Sequence, residues 1–190
     1  WGHGYWTYDW ADTHDPLVAF DPGRGEAAIR KPQSWYGVKA GARFAFENAR
    51  EALDDPGEWW LDRDKGFLSL LHPGEAPPRR SVVTMLETPL LALDGASHVR
   101  IEGLVFEDSR GDGIVITGGE HCRVAGCVIR NLGGLGVSVN GGRRHLVRSC
   151  DVYGTGEGAI ALNGGDRRTL EPCGHAAENN DLYDYCRWAR

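Results

Sequence analysis

Asp166, Arg167 and Arg168 stand together in GGDRRTL, with His175 behind them and then Asp181, Tyr183 and Tyr185, while Glu157 sits before a glycine corner in GEGAI. Carboxylates, guanidinium groups, an imidazole and phenols at this density suit two ways of breaking a glycosidic bond. Hydrolysis needs two carboxyl groups flanking the bond, about 5–5.5 Å apart for retention of configuration or about 6.5–9.5 Å for inversion. Asp166, Asp181 and Glu157 are the catalytic candidates for it. Elimination needs a base for the proton α to a uronate carboxylate and a cation that holds the developing enolate. Arg167 and Arg168 suit the clamp, and His175, Tyr183 and Tyr185 suit the base and the remaining substrate contacts. Plainer readings of the same residues are solvated turn carboxylates and a loop braced by its own ion pairs. The chain has no lysine after Lys65, which excludes a lysine base in this region. It shows no Ser-His-Asp or phosphate-loop signature; His121, His145 and His175 lack metal-ligand spacing, and the cysteines lack a C-x-x-C pair. No cofactor is expected, and calcium between loop carboxylates has no motif behind it.

These residues must be held by the elements around them, and those elements repeat. Paired glycines fall at 118–119, 141–142 and 164–165, a step of 23 residues. Leu91, Ile114, Val137 and Ile160 align on that step, as do Leu93, Ile116, Val139 and Leu162. Each unit offers three short runs in which apolar residues alternate, as in HVRIEG, LVFED and GIVIT. Alternation places Val99, Ile101, Leu104, Phe106, Ile114 and Ile116 on one side. In the next unit it places Cys122, Val124, Cys127, Ile129, Val137 and Val139 there. His145 falls on the inward phase of the third unit and reads as a satisfied turn residue. Strands this short cannot bury an apolar face alone, but three per coil, stacked at about 4.8 Å, give a continuous interior. The fold expected is all-β: a right-handed parallel β-helix of about four coils, with a small β-rich domain and one short helix ahead of it.

The last coil is interrupted. CDVY at 150–153 is echoed by NDLY at 180–183, a step of 30, so the extra residues lie in 164–180. An insertion at a coil corner must project, and irregular loops on a rigid scaffold tend to carry function. Asp151 and Asp181 align across this step and should face solvent. Cys127 and Cys150 share an inward repeat position and read as buried thiols rather than a disulfide.

Residues 1–75 lack the repeat and hold six of the seven tryptophans. VAFDPGRGEAAIR reads as two strands about a turn, EWWLDRDKGFLSLL as a hairpin, and Glu47 to Leu53 as a short helix. The domain is expected to cap the solenoid, with its aromatics packed, the sharper alternative being a sugar-stacking surface. EAPPRR, from Glu75 to Arg80, reads as the linker; residues 76–96 are taken as linker and first partial coil, and 97–190 as the β-helix, incomplete at its C-terminal end.

Composition narrows the partners. A net charge of −6 speaks against a nucleic-acid backbone, which selects a clustered basic face. No apolar run is long enough to span a bilayer. No signal peptide is present, and the chain begins at Trp1, as an excerpt or a processed chain would.

The chain resembles the bacterial right-handed β-helix repeat proteins related to polysaccharide lyases and glycoside hydrolases. The resemblance rests on GYWTYDWADT, FENAREALDDPGEWWLDRDKG, SHVRIEGLVFEDSRGDGIVITGG and NGGDRRTLEPCGHAAENNDLYDY, in that order along the chain. It implies a carbohydrate-active protein, secreted or periplasmic, with a polysaccharide or oligosaccharide lying across one face of the solenoid. Such proteins continue through further coils rich in His and Asn, so this chain is expected to be a fragment carrying one shoulder of a cleft. The activity expected is cleavage of polysaccharide glycosidic bonds, with hydrolysis placed ahead of β-elimination. The alternative is a non-catalytic, carbohydrate-binding or surface-structural solenoid.

Overall fold

The structure, a computed structural model, describes residues 1–21, 23–30, 36–74 and 81–187. The expected linker EAPPRR, with Trp35 and Trp188, lies outside the described residues. The chain divides into two compact units, Trp1–Ser81 and Val82–Arg190.

The first unit holds β1 (Gly2–Tyr5), β2 (Thr13–Asp15), β3 (Leu17–Asp21), β4 (Glu26–Ile29), β5 (Arg43–Phe46), β6 (Trp59–Asp62) and β7 (Phe67–Leu70). Strand β1 runs antiparallel between β2 and β5, and β3–β4 and β6–β7 are hairpins. Both hairpins match the sequence expectation, the second turning through RDKG.

The short helix does not match it, because only a 3-10 turn, Arg50–Ala52, forms. Asn48 stands in the left-handed region at φ 51°. Its side chain accepts from Leu61 N–H (2.7 Å) and donates to Leu61 C=O (2.9 Å). That clamp pulls the chain out of helical geometry, and no side chain caps the remaining turn.

The aromatics are also less buried than expected. Trp6 is buried, but Trp10 is 70% and Trp59 59% exposed. Tyr8 stacks on Trp10, and both meet Tyr36 edge-on, forming a solvent-facing aromatic cluster.

The second unit is a parallel solenoid. Its first rung is β8 (Leu91–Asp94), β9 (Arg100–Glu102) and β10 (Val105–Ser109). The second is β11 (Ile114–Thr117), β12 (Arg123–Ala125) and β13 (Val128–Leu132), and the third β14 (Val137–Asn140), β15 (Leu146–Arg148) and β16 (Asp151–Thr155). The fourth is β17 (Ile160–Asn163), β18 (Ala176–Glu178) and β19 (Asp181–Tyr183). Like strands stack into three four-stranded parallel sheets: β8-β11-β14-β17, β9-β12-β15-β18 and β10-β13-β16-β19. Among the described residues, no helix is long and apolar enough to cross a membrane.

Register follows the repeat residue by residue. Leu91, Ile114, Val137 and Ile160 pair in one file. The step of 30 appears where Asp151 pairs with Asp181 and Leu146 with Ala176. The inward set fills the interior as expected, with Ile114, Val124, Ile129, Val137, Val147 and Val152 fully buried. Leu104 is the exception, half exposed at the first rung. Cys127 and Cys150 are free and buried, and burial pushes the Cys150 thiol up from its ordinary value.

The corners explain the glycine pairs. Gly141 and Gly142 both take positive φ, 71° and 75°. A Cβ on Gly141 would meet nothing, whereas one on Gly142 would lie 2.5–2.6 Å from the carbonyl oxygens of Gly119 and Gly118 and from His145 Nε2. Gly141→Ala is therefore expected to cost about 1 kcal/mol, the left-handed penalty alone. Gly142→Ala adds overpacking and should cost about 3 kcal/mol or more. Urea unfolding of the two variants checks the ranking.

Candidate functional site

Residues pointing outward from β10-β13-β16-β19 form two files at neighbouring positions. Val105, Val128, Asp151 and Asp181 make one file, and Glu107, Arg130, Tyr153 and Tyr183 the other. The second is a connected ladder. Arg130 donates to Glu107 through Nε (2.7 Å) and to the Tyr153 hydroxyl through Nη1 (2.9 Å). These contacts, the tyrosine first, hold the guanidinium more firmly charged than usual. Tyr153 stacks on Tyr183 with ring centroids 4.6 Å apart and planes within 9°. Tyr183 remains 43% exposed. Its phenol is pushed up from the ordinary value by burial first, then by Tyr153 and the charges of Asp181 and Asp151. It therefore stays a hydrogen-bond donor rather than a base at neutral pH.

Asp151 and Asp181 are exposed partners in adjacent rungs, separated by one strand spacing of about 4.8 Å along the backbone. The fold thus sets the backbone spacing of the two acids, and Asp181 shares its strand with Tyr183.

The other sequence candidates are distributed around the coil. Asp166, Arg167 and Arg168 lie in the projecting loop after β17. Asp166 exchanges two backbone hydrogen bonds with Glu171 (2.9 and 3.1 Å), which closes the loop as a tight hairpin. The Asp166 Oδ1 accepts from Arg168 N–H at 2.8 Å, and that bond leads in holding its carboxyl below the usual value. The brace is thus a carboxylate on backbone amide, not an ion pair within the DRR run. The ion pair at this loop joins Arg143 to Glu171. Asp166→Ala is expected to speed proteolysis within 166–171 while the melting temperature of the solenoid holds. Limited digestion followed by mass mapping of the fragments measures it.

Glu157 occupies the turn between β16 and β17, and its carbonyl accepts from Thr155 Oγ1 and from Cys186 N–H at 2.6 Å. The segment carrying Tyr185 therefore runs past the Glu157 corner. His175 sits at the corner before β18, where its Nδ1 accepts from His145 N–H (3.1 Å) and its Nε2 faces Gly141 C=O (3.2 Å). It stacks on His145, centroids 5.0 Å apart. Asp166, Glu157 and Asp181 thus occupy three separate places around the coil. What the fold brings together is Asp181 with Asp151, Tyr183 with Tyr153, and Arg130 with Glu107. Arg130, Glu107 and Tyr153 were not among the sequence candidates. The signal that finds them is the repeat itself, since 107, 130 and 153 lie on the 23-residue step and 183 on the step of 30.

Comparison with curated proteins found no match, and comparison with solved structures found none either. A scan against protein families matches residues 90–182 to the right handed beta helix region. That span contains every strand of the stack up to the middle of β19. The solenoid of this chain is a right-handed parallel β-helix.

Proposed function

We propose that this protein binds a polysaccharide along the outer face of β10-β13-β16-β19 and hydrolyses its glycosidic bonds there, with Asp151 and Asp181 as the carboxylate pair. The observation that carries the reading is the in-register pairing of these two acids on an open face, beside the stacked tyrosines. One carboxyl group protonates the leaving oxygen and the other attacks the anomeric carbon, a division of labour that needs a pair about 5–5.5 Å apart. Tyr153, Tyr183 and Arg130 supply hydroxyls and a fixed cation for sugar hydroxyl groups. Tyr185, Arg167 and Arg168 remain exposed and extend the polar surface available to a long chain. The exposed Tyr8, Trp10 and Tyr36 cluster is the kind of surface on which the apolar face of a pyranose stacks.

Hydrolysis is placed ahead of elimination because two of the three candidate bases, His175 and Tyr183, are poorly suited to take a proton. Both ring nitrogens of His175 face backbone partners, and the Tyr183 phenol is pushed up. The second reading, a non-catalytic carbohydrate-binding solenoid, draws support from Asp166, whose carboxylate is committed to its own loop. Secretion is proposed with either reading, as an extracellular polysaccharide would require.

The test is to incubate the protein with a panel of neutral and acidic polysaccharides and follow new reducing ends. Release that persists in Asp166→Asn and disappears in Asp181→Asn supports the proposed pair. Binding without release from any member of the panel would replace hydrolysis with the binding reading.

A further inference from the structure

We infer that His3, Asp12, His14 and Glu47 in the first unit form a binding site for a divalent transition-metal ion of the zinc type. Nothing in the spacing 3, 12, 14, 47 announces it; strand pairing creates it. Strand β1 lies between β2 and β5, so His3 pairs directly with His14 on one side. On the other it pairs with Ala45, two residues before Glu47. The backbones of Trp1 and Glu47 continue that pairing with N–H to C=O bonds of 2.9 Å from Glu47 and 3.0 Å from Trp1.

The side chains converge on one face. The two imidazoles stack with centroids 4.0 Å apart and planes within 6°. His3 Nε2 lies 2.9 Å from Asp12 Oδ2. A ligand atom from each of His3, Asp12 and His14 lies within 4.8 Å of the other two. Glu47 faces the opposite edge of both rings, with Oε2 at 2.9 Å from His14 Nδ1 and Oε1 at 3.6 Å from His3 Nδ1. The His3 side chain is only 11% exposed.

Two nitrogens and one carboxylate, with a fourth position left to water, are a donor set that zinc accepts in tetrahedral geometry, with metal–ligand distances of about 2.0–2.2 Å. Imidazole donors favour zinc and its neighbours over calcium or magnesium, which take oxygen. Glu47 supplies the carboxylate that metal-bound imidazoles ordinarily have behind them, which fixes tautomer and ring orientation. Charge agrees: with neutral rings, Asp12 and Glu47 present two negative charges to a two-positive ion. The ion would join β1 to β2 and the residue before it, with Glu47, just past the end of β5, bracing the two rings from behind.

The chelator-treated protein, titrated with zinc by calorimetry and with cobalt by absorption spectroscopy, tests the site. The expected result is saturable zinc binding that raises the melting temperature, and a cobalt spectrum free of thiolate charge-transfer bands, since no cysteine takes part. His14→Gln, at a half-exposed position, and Asp12→Asn should each weaken binding by at least about 10-fold. Glu47→Gln, behind the ligands, should weaken it by about 10–100-fold. The other histidine-bearing cluster, His98, Glu120 and His121 on the solenoid, is tested by His121→Gln, which should leave the affinity unchanged. Zinc that fails to saturate, binding undiminished in both folded His14→Gln and folded Glu47→Gln, a thiolate band with cobalt, or loss of the site in His121→Gln would overturn the proposal.

Discussion

Asp181→Asn is expected to lower polysaccharide hydrolysis by about 10³-fold or more, and Asp151→Asn to do the same, while the double variant is scarcely worse than either. Acid–base groups that act in the transition state contribute about 10²–10⁴-fold each, and residues working as a unit lose their effect together. The structural cost runs the other way. Asp151 and Asp181 are exposed, in-register neighbours of like charge, and opposed like charges destabilise a sheet. Neutralising one should therefore hold or slightly raise the melting temperature, which separates a catalytic loss from an unfolding one. Strand spacing also sets an expectation for the stereochemistry. A pair one rung apart starts at about 4.8 Å, close to the separation of retaining enzymes and short of that for inverting ones. The product released by the wild type should retain anomeric configuration, as read by proton NMR during the first turnovers. A pair two rungs apart, at roughly twice that spacing, would invert.

The second large effect is on stability. His145 is 1% exposed, yet it is polar, and both ring nitrogens are used. Nδ1 accepts from Cys122 N–H (3.1 Å), and Nε2 faces Gly118 C=O (3.0 Å), which requires the neutral Nε2–H tautomer. His145→Ala would leave a buried donor and a buried acceptor without partners and open a cavity between rungs. The expected cost is about 3–5 kcal/mol, measured by urea unfolding. Burial, first among its causes, lowers the His145 pKa from the ordinary 6.5.

The sign of the pH dependence follows from that direction. Below about 6.5 the unfolded chain takes up a proton that the folded chain refuses, so the unfolded state binds more protons. Full stability is present above the unfolded value and declines as pH falls through it, levelling only once the folded value is passed. His145→Gln can keep an acceptor and a donor without titrating, so its stability should be flatter than the wild type as pH falls below about 6.5. Parallel curves for the two proteins would contradict the assignment of the neutral tautomer.

The frame of the site was legible in the sequence because stacking converts a period into a position. Ile114, Val137 and Ile160 align on paper at 23 residues and pair in space at the same step. The step of 30 foretold that Asp181 would sit beside Asp151. Alternation separates inward from outward residues, but it does not say which outward residues bond to one another. The Glu107–Arg130–Tyr153 connection needed the rungs laid in register. Asp166 and Arg168 carry reactive side chains in an irregular loop, and residue type alone could not reveal that the carboxylate accepts from its own backbone. Asn48 misled in the same way, since its clamp on Leu61 joins residues that no local pattern links. The histidine pair of the first unit was hidden for a related reason. Antiparallel pairing of β1 with β2 and β5 is not periodic, so nothing in the chain marks 3, 14 and 47 as neighbours.

The most direct measurement is the mass spectrum of oligosaccharides released from a cleaved polysaccharide in heavy-oxygen water. Hydrolysis by the Asp151–Asp181 pair predicts that each new reducing end carries the heavy oxygen, and that the signal vanishes in Asp181→Asn. Unlabelled reducing ends with unsaturated non-reducing ends would mean elimination, and labelled ends that persist in Asp181→Asn would place the chemistry elsewhere; either contradicts the account.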